Sequence, residues 1–109
     1  MHPALWLALA IASEIIATTS LKLSDGFTRL LPSVVVVIGY GISFYALSVS
    51  LRSIPLGVVY AIWSGVGTAA IVVIGYLLFH EVLDAVKLGA IGLIIIGVVA
   101  LNGVTIGAR

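Results

Sequence analysis

The spacing of the charged side chains is what most restricts the folds open to this 109-residue chain. Five residues are basic and four are acidic, and long uncharged runs separate them. Charged residues make up 8% of the chain, against roughly 25% of an ordinary soluble domain. So few polar groups cannot cover the surface of a small water-soluble domain, whereas a bilayer accepts apolar surface. We therefore expect an integral membrane protein.

Four uncharged or nearly uncharged runs predict four helices. A helix needs about 20 residues to cross a ~30 Å hydrocarbon core, and each run is close to that length. Val34–Ile38 is apolar on both faces of any strand, which does not fit the alternation of a membrane β-barrel. The first run lacks a basic leader segment, so we expect it to remain as a span. The predicted helices cover about residues 4–21, 30–51, 55–79 and 86–106.

These runs predict an all-α membrane protein with a single four-helix transmembrane domain over residues 1–109. Asp84 immediately precedes the fourth helix and is suited to cap it.

The charges give little preference for one orientation in the membrane. Lys22, Arg29 and Lys87 lie on one side of the predicted bundle, and Arg52 and Arg109 lie on the other. Such a chain could insert both ways and pair as an antiparallel dimer, or keep one topology set by a weak bias.

Several classes of function are not expected. The chain has no cysteine and two widely separated histidines, so no metal site is predicted. No nucleophile–base pair or cofactor motif is visible, so we expect neither an enzyme nor a cofactor. The net charge of +1 gives no reason to expect binding to nucleic acid.

Apart from tyrosines, Glu14 is the only ionisable residue in the interior of a predicted span, because Lys87 lies at the very start of the fourth. It lies near the bilayer midplane, where a charge costs at least ~2.5–3.5 kcal/mol. The nearest basic residue in sequence, Lys22, is ~12 Å further along a helix, too far for a direct ion pair. Apolar surroundings favour a protonated carboxyl group, which can release its proton when a cation arrives. Competition between a proton and a cation for one carboxylate is the core of an exchanger.

Two alternatives concern the immediate surroundings of this carboxyl group. Glu14 could be a neutral glutamic acid that only hydrogen-bonds a neighbouring helix. Thr18 lies one turn later and could hydrogen-bond Glu14, or bond back to its own helix.

Aromatic residues occur at helical spacing in the second and third helices. Tyr40 and Phe44 share one helix face, as do Tyr60 and Trp63. Aromatic faces attract cations, and cages of them recognise quaternary ammonium groups. Together with Glu14, these residues predict a hydrophobic organic cation as the ligand. The alternative is that the aromatic rings only fill space between helices.

Glycines mark the third and fourth helices. Gly65 and Gly67 lie midway along the third helix and predict either a kink or a groove for a neighbouring helix. The fourth helix has few polar side chains, and its Gly89, Gly92 and Gly97 suit close helix packing. We interpret the fourth helix as a contact between copies of the chain.

Motifs throughout the chain resemble the small multidrug resistance family, in its branch of quaternary ammonium exporters. The stretch from Tyr60 to Gly67 is the most specific of them. The others are Glu14, Gly26–Leu30 with Pro32-Ser33, Ile54-Pro55, Asp84, Gly97 and Asn102.

The resemblance implies an antiparallel, dual-topology homodimer in a bacterial inner membrane. It implies that Glu14 of both subunits forms a shared site for protons and for quaternary ammonium or polyaromatic cations. Tyr60 and Trp63 would line that site, with Tyr40 and Phe44 nearby. The segment from Gly65 to Gly67 would be a kink, and Gly97 would lie at the dimer contact.

The expected function is therefore proton-coupled export of lipophilic organic cations by alternating access. A guanidinium exporter of the sister branch remains an alternative within the family. Outside it, the residues also allow a non-transporting membrane assembly subunit or a passive cation channel.

Overall fold

A computed structural model describes the backbone of residues 2–107 and the surroundings of residues 2–101 and 103. The side chain of Asn102, and Arg109 as a whole, lie outside the described residues. The prediction of four helices is confirmed, and their ends lie within two residues of the predicted bounds. The helices are α1 (Pro3–Leu23), α2 (Leu30–Ser50), α3 (Leu56–Phe79) and α4 (Ala85–Gly107).

Three of these helices are long and apolar enough to cross a membrane: α1, α2 and α3. The described part of α4, Ala85–Leu101, is a shorter apolar helix. The fourth membrane span therefore stays a prediction, whereas the first three agree with the expected lengths.

The ends of the helices are defined by local hydrogen bonds. At the start of α1, the backbone N–H of Ala4 donates to Nδ1 of His2 over 3.0 Å. At the start of α4, the backbone N–H of Lys87 donates to a carboxylate oxygen of Asp84 over 2.9 Å. The predicted capping role of Asp84 is confirmed, because its side chain satisfies a backbone donor that a helix start leaves unpaired.

The chain divides into two compact units, residues 1–54 and residues 55–109. In the first unit, α1 packs against α2 through small side chains. The hydroxyl of Ser43 on α2 is fully buried and donates to the backbone oxygen of Ala10 on α1 over 2.7 Å. Small residues let two helix backbones approach closely, and the hydroxyl then bridges them. The buried small residues are Ala10, Ser13 and Ala17 on α1, and Gly39, Ser43, Ala46 and Ser50 on α2.

Gly39 is a point of close approach between these two helices. A Cβ atom at this position would lie 2.8 Å from Cβ of Ala17 and 3.2 Å from the backbone oxygen of Ser13. Both neighbours belong to the rigid part of α1, so neither can rotate away. The absence of a side chain at Gly39 is therefore what allows α2 to rest on this turn of α1.

In the second unit, α3 packs against α4 around Gly65. A Cβ atom at Gly65 would lie 2.6 Å from Cγ2 of Val98 and 3.0 Å from Cγ2 of Ile94. Much of the apolar surface of this unit stays exposed, including Leu93 and Ile96 on α4. Exposed apolar side chains of this kind suit contact with lipid or with another helix.

Substitution of Gly39 tests the packing of the first unit. We expect Gly39→Ala to lower the free energy of unfolding by about 1–3 kcal/mol, because the new methyl group would overlap α1. Gly41→Ala is the matched control, since a Cβ at Gly41 has no atom within 4 Å. The control should be neutral or stabilising by up to about 1 kcal/mol, because alanine favours helix over glycine. Unfolding of both variants in detergent, followed by circular dichroism, gives the comparison. Equal stability of the two variants would contradict the packing described.

Candidate functional site

Glu14 lies on α1 and is half-buried. Its Oε1 atom accepts a hydrogen bond from the Thr18 hydroxyl over 3.0 Å. The Thr18 hydroxyl also lies 2.6 Å from the Tyr40 hydroxyl on α2. The second carboxyl oxygen, Oε2, is buried and has no hydrogen-bond partner among the described residues. A polar atom left in this state is costly, so it marks a place where a proton, a cation or another polar group would be stabilised.

The helix geometry explains why these three side chains meet. Thr18 follows Glu14 by four residues, so their side chains lie on the same face of α1. Tyr40 follows Gly39, which rests on Ala17, the residue before Thr18. The close contact between the backbones of the two helices thus delivers the phenol oxygen of Tyr40 to the Thr18 hydroxyl.

The aromatic residues form two pairs, one in each unit. The rings of Tyr40 and Phe44 are stacked, with centroids 6.2 Å apart and planes inclined at 22°. The rings of Tyr60 and Trp63 meet edge to face, with centroids 5.9 Å apart. Hydrogen bonds join Tyr40 to Thr18 and Thr18 to Glu14, and Phe44 is linked to these three residues by stacking on Tyr40. Tyr60 and Trp63 form their own pair in the second unit, and their place beside Glu14 stays a prediction.

The structure shows a packing contact for some of the glycines to which the sequence analysis gave a role, and none among the described residues for others. Gly65 is buried against α4, as expected if it forms a groove for a neighbouring helix. Gly67 is also buried, and α3 is helical throughout this segment. A Cβ atom at Gly89, Gly92 or Gly97 would meet no atom within 4 Å. The dimer contact predicted for these three glycines stays a prediction.

Two further residues were missed by the sequence analysis. Gly39 and Ser43 fix the distance between α1 and α2, as described above. Their signal is a repeat of small residues along one face of α2, which continues to Ala46 and Ser50. In the same unit, the ring of Tyr45 meets that of Trp6 edge to face at a centroid distance of 6.0 Å.

Comparison with known proteins places the chain in a family. The family model described as Small Multidrug Resistance protein matches residues 3–96. The quaternary ammonium compound-resistance protein QacE of Escherichia coli is 56% identical over 98 residues, which cover 90% of this chain and 89% of the relative. A putative ethidium bromide resistance protein of Pseudomonas aeruginosa is 56% identical over 91 residues, or 84% of this chain and 79% of the relative. The multidrug resistance protein EbrA of Bacillus licheniformis is 48% identical over 98 residues, or 90% and 93%.

These matches extend over most of the chain and of each relative. The chain therefore belongs to the small multidrug resistance family, as its motifs indicated. It is a membrane protein of the bacterial inner membrane, and multidrug efflux is the function that the family supports. The names of these relatives refer to resistance to quaternary ammonium compounds or to ethidium bromide, which fits the expectation that the chain is not an enzyme.

Proposed function

We propose that the chain exports quaternary ammonium and other lipophilic cations in exchange for protons. Two copies would pair antiparallel, and Glu14 of both copies would bind protons and substrate in turn. In this proposal, residues 1–109 form one four-helix membrane domain. Alternating access opens the site first to one side of the bilayer and then to the other.

The observation that carries this proposal is the carboxyl group of Glu14. One of its oxygens accepts a hydrogen bond, and the other is buried without a partner among the described residues. A buried carboxylate is stabilised either by a proton or by a positive ion close to it. A proton and a cation would neutralise the same negative charge on Glu14, so binding of one excludes binding of the other. A proton gradient can then drive the export of a cation.

The aromatic pairs supply the affinity for an organic cation. Tyr40, whose ring stacks on Phe44, is linked to Glu14 through the hydroxyl of Thr18. The rings of Tyr60 and Trp63 form the second pair. A desolvated cation over an aromatic face gains about 2 kcal/mol or more. Names of the relatives that refer to quaternary ammonium compounds and ethidium bromide support this class of substrate.

Dimerisation is supported by the size of the chain. Four helices of this length can hardly enclose a drug-sized cavity of about 300–1,000 Å³ and also seal it on both sides. The near-even distribution of basic residues permits insertion in both orientations. The open surface at Gly89, Gly92 and Gly97 on α4 would then meet the second copy.

Replacement of the carboxyl group tests the proposed coupling. We expect Glu14→Gln to abolish proton-driven uptake of a quaternary ammonium dye into inverted vesicles, because the amide neither ionises nor binds a proton. Asp25→Asn is the control, since Asp25 is an exposed carboxylate outside the helices and asparagine tolerates its positive φ. Asp25→Asn should transport like the unmodified chain. Full uptake by Glu14→Gln would overturn the mechanism.

Replacement of a tryptophan tests the aromatic part of the site. We expect Trp63→Ala to weaken binding of tetraphenylphosphonium by about thirtyfold, which corresponds to the loss of ~2 kcal/mol of cation–π attraction. Trp6→Ala is the matched control, because Trp6 pairs with Tyr45 rather than with the proposed site. The control should bind within about threefold of the unmodified chain, which is less than 1 kcal/mol. Equal losses in both variants would show that Trp63 acts through folding and not through the ligand.

The same assays separate the alternatives. A guanidinium exporter would respond to guanidinium and not to tetraphenylphosphonium in a pH-jump experiment. A channel would show no uphill accumulation of substrate when a proton gradient is applied. An assembly subunit would bind no lipophilic cation once purified without its partners.

A further inference from the structure

The Thr18 hydroxyl stands in the middle of a chain of three groups. It lies 3.0 Å from Oε1 of Glu14 and 2.6 Å from the hydroxyl of Tyr40. A hydroxyl has one proton to donate and can accept further hydrogen bonds. When Thr18 donates to an ionised Glu14, it has no proton left for Tyr40. The Tyr40 hydroxyl must then donate to Thr18, and the chain runs from α2 towards the carboxylate.

We propose that Thr18 is a positioning residue through which the proton on Glu14 sets the direction of the Tyr40 hydroxyl. The inference rests on the proposed function, because it requires Glu14 to gain and lose a proton during transport. It goes beyond competition at Glu14, because it links the carboxyl group on α1 to the aromatic side chain of Tyr40 on α2.

Protonation of Glu14 reverses the chain. A proton on Oε1 can be donated to Thr18, whereas a proton on Oε2 would find no acceptor among the described residues. An unpaired buried donor is rarer in proteins than an unpaired carbonyl oxygen, so Oε1 is the favoured position. Thr18 then donates to Tyr40 instead of Glu14. Each hydroxyl rotates and keeps its own proton, and the added proton, which comes from water, stays on Glu14.

The reversal changes what Tyr40 offers to a ligand. With Glu14 ionised, the phenol proton of Tyr40 is directed at Thr18, and the remaining lone pair of the oxygen is available to a cation. With Glu14 protonated, Tyr40 accepts from Thr18, and its own proton turns towards the surroundings. That end of the O–H dipole repels a cation. One proton on α1 would therefore weaken cation binding on α2 as well, next to the ring stacked on Phe44.

The other titratable groups of this unit occupy different places. Tyr40 is the titratable side chain of α2 that joins Glu14 through these hydrogen bonds. Tyr45 contacts Trp6, and the remaining groups lie at or beyond the ends of α1 and α2, as His2, Lys22, Asp25, Arg29 and Arg52.

The experiment measures binding of tetraphenylphosphonium to the purified full chain as a function of pH. We expect Thr18→Val to lose half of its binding at a pH about one unit higher than the unmodified chain does. The reason is that the ionised carboxylate loses a hydrogen-bond donor. Loss of such a bond shifts the competition between proton and cation towards the proton by about one pH unit. Thr18→Ser keeps the hydroxyl and should restore the original pH midpoint. Tight binding at alkaline pH identifies the variants that have folded.

Tyr40 supplies a second and independent arm. Tyr40→Phe should raise the midpoint by less than Thr18→Val, because Thr18 can still donate to Glu14 without it. In a Thr18→Val background, Tyr40→Phe should cause no further shift, since Tyr40 would act only through Thr18. The infrared C–O band of Tyr40, assigned by its loss in Tyr40→Phe, should move between high and low pH and stop moving in Thr18→Val.

The outcomes divide cleanly. An unshifted midpoint in Thr18→Val, an equal shift in Thr18→Ser, or a Tyr40 shift that persists without the Thr18 hydroxyl would each overturn the inference. These results would leave the proposed function intact if Glu14→Gln still abolishes pH-dependent binding. Retention of pH-dependent binding in Glu14→Gln would instead contradict the proposed function itself.

Discussion

The structure depends on one energetic conflict, a carboxyl group placed within an apolar helix. Apolar neighbours cannot solvate the carboxyl group of Glu14, so its stability depends on the few polar groups that reach it. The chain provides one hydroxyl to one carboxyl oxygen and leaves the other oxygen buried without a partner among the described residues. A fully satisfied carboxylate would have little need of a proton or a cation. In the proposed mechanism, this incomplete satisfaction would let Glu14 exchange a proton for a cation.

The packing of α1 against α2 serves this arrangement. Gly39 and the buried Ser43 hold the two helices at a short distance, and this brings the Tyr40 hydroxyl to Thr18. Among the described residues, the second unit buries fewer side chains than the first, and both units leave large apolar side chains exposed. In the proposed dimer, the first unit would supply the proton site, and the exposed face of α4 would supply surface for a second copy.

The sequence was sufficient for the features that depend on local spacing. Charges at the helix ends predicted four helices, Asp84 was recognised as a cap, and the i to i+4 spacing suggested the bond between Thr18 and Glu14. The bond from Thr18 to Tyr40 was not predictable, because it depends on the register between two helices. That register follows from Gly39, whose importance becomes visible only when a Cβ is placed against Ala17. Gly65 packs against α4, and the kink predicted at Gly65 and Gly67 stays a prediction. The position of Trp63 relative to Glu14 is still a prediction, since the two residues lie in separate units.

Proton release on substrate binding tests the central claim most directly. Tetraphenylphosphonium is added to the purified chain at fixed, weakly buffered pH, and the released protons are counted with a pH indicator. Competition at Glu14 predicts that protons leave the protein as the cation binds, that the number falls towards zero at alkaline pH, and that Glu14→Gln releases none. Tight binding without proton release at every pH would contradict the account, because proton and cation would then occupy separate sites.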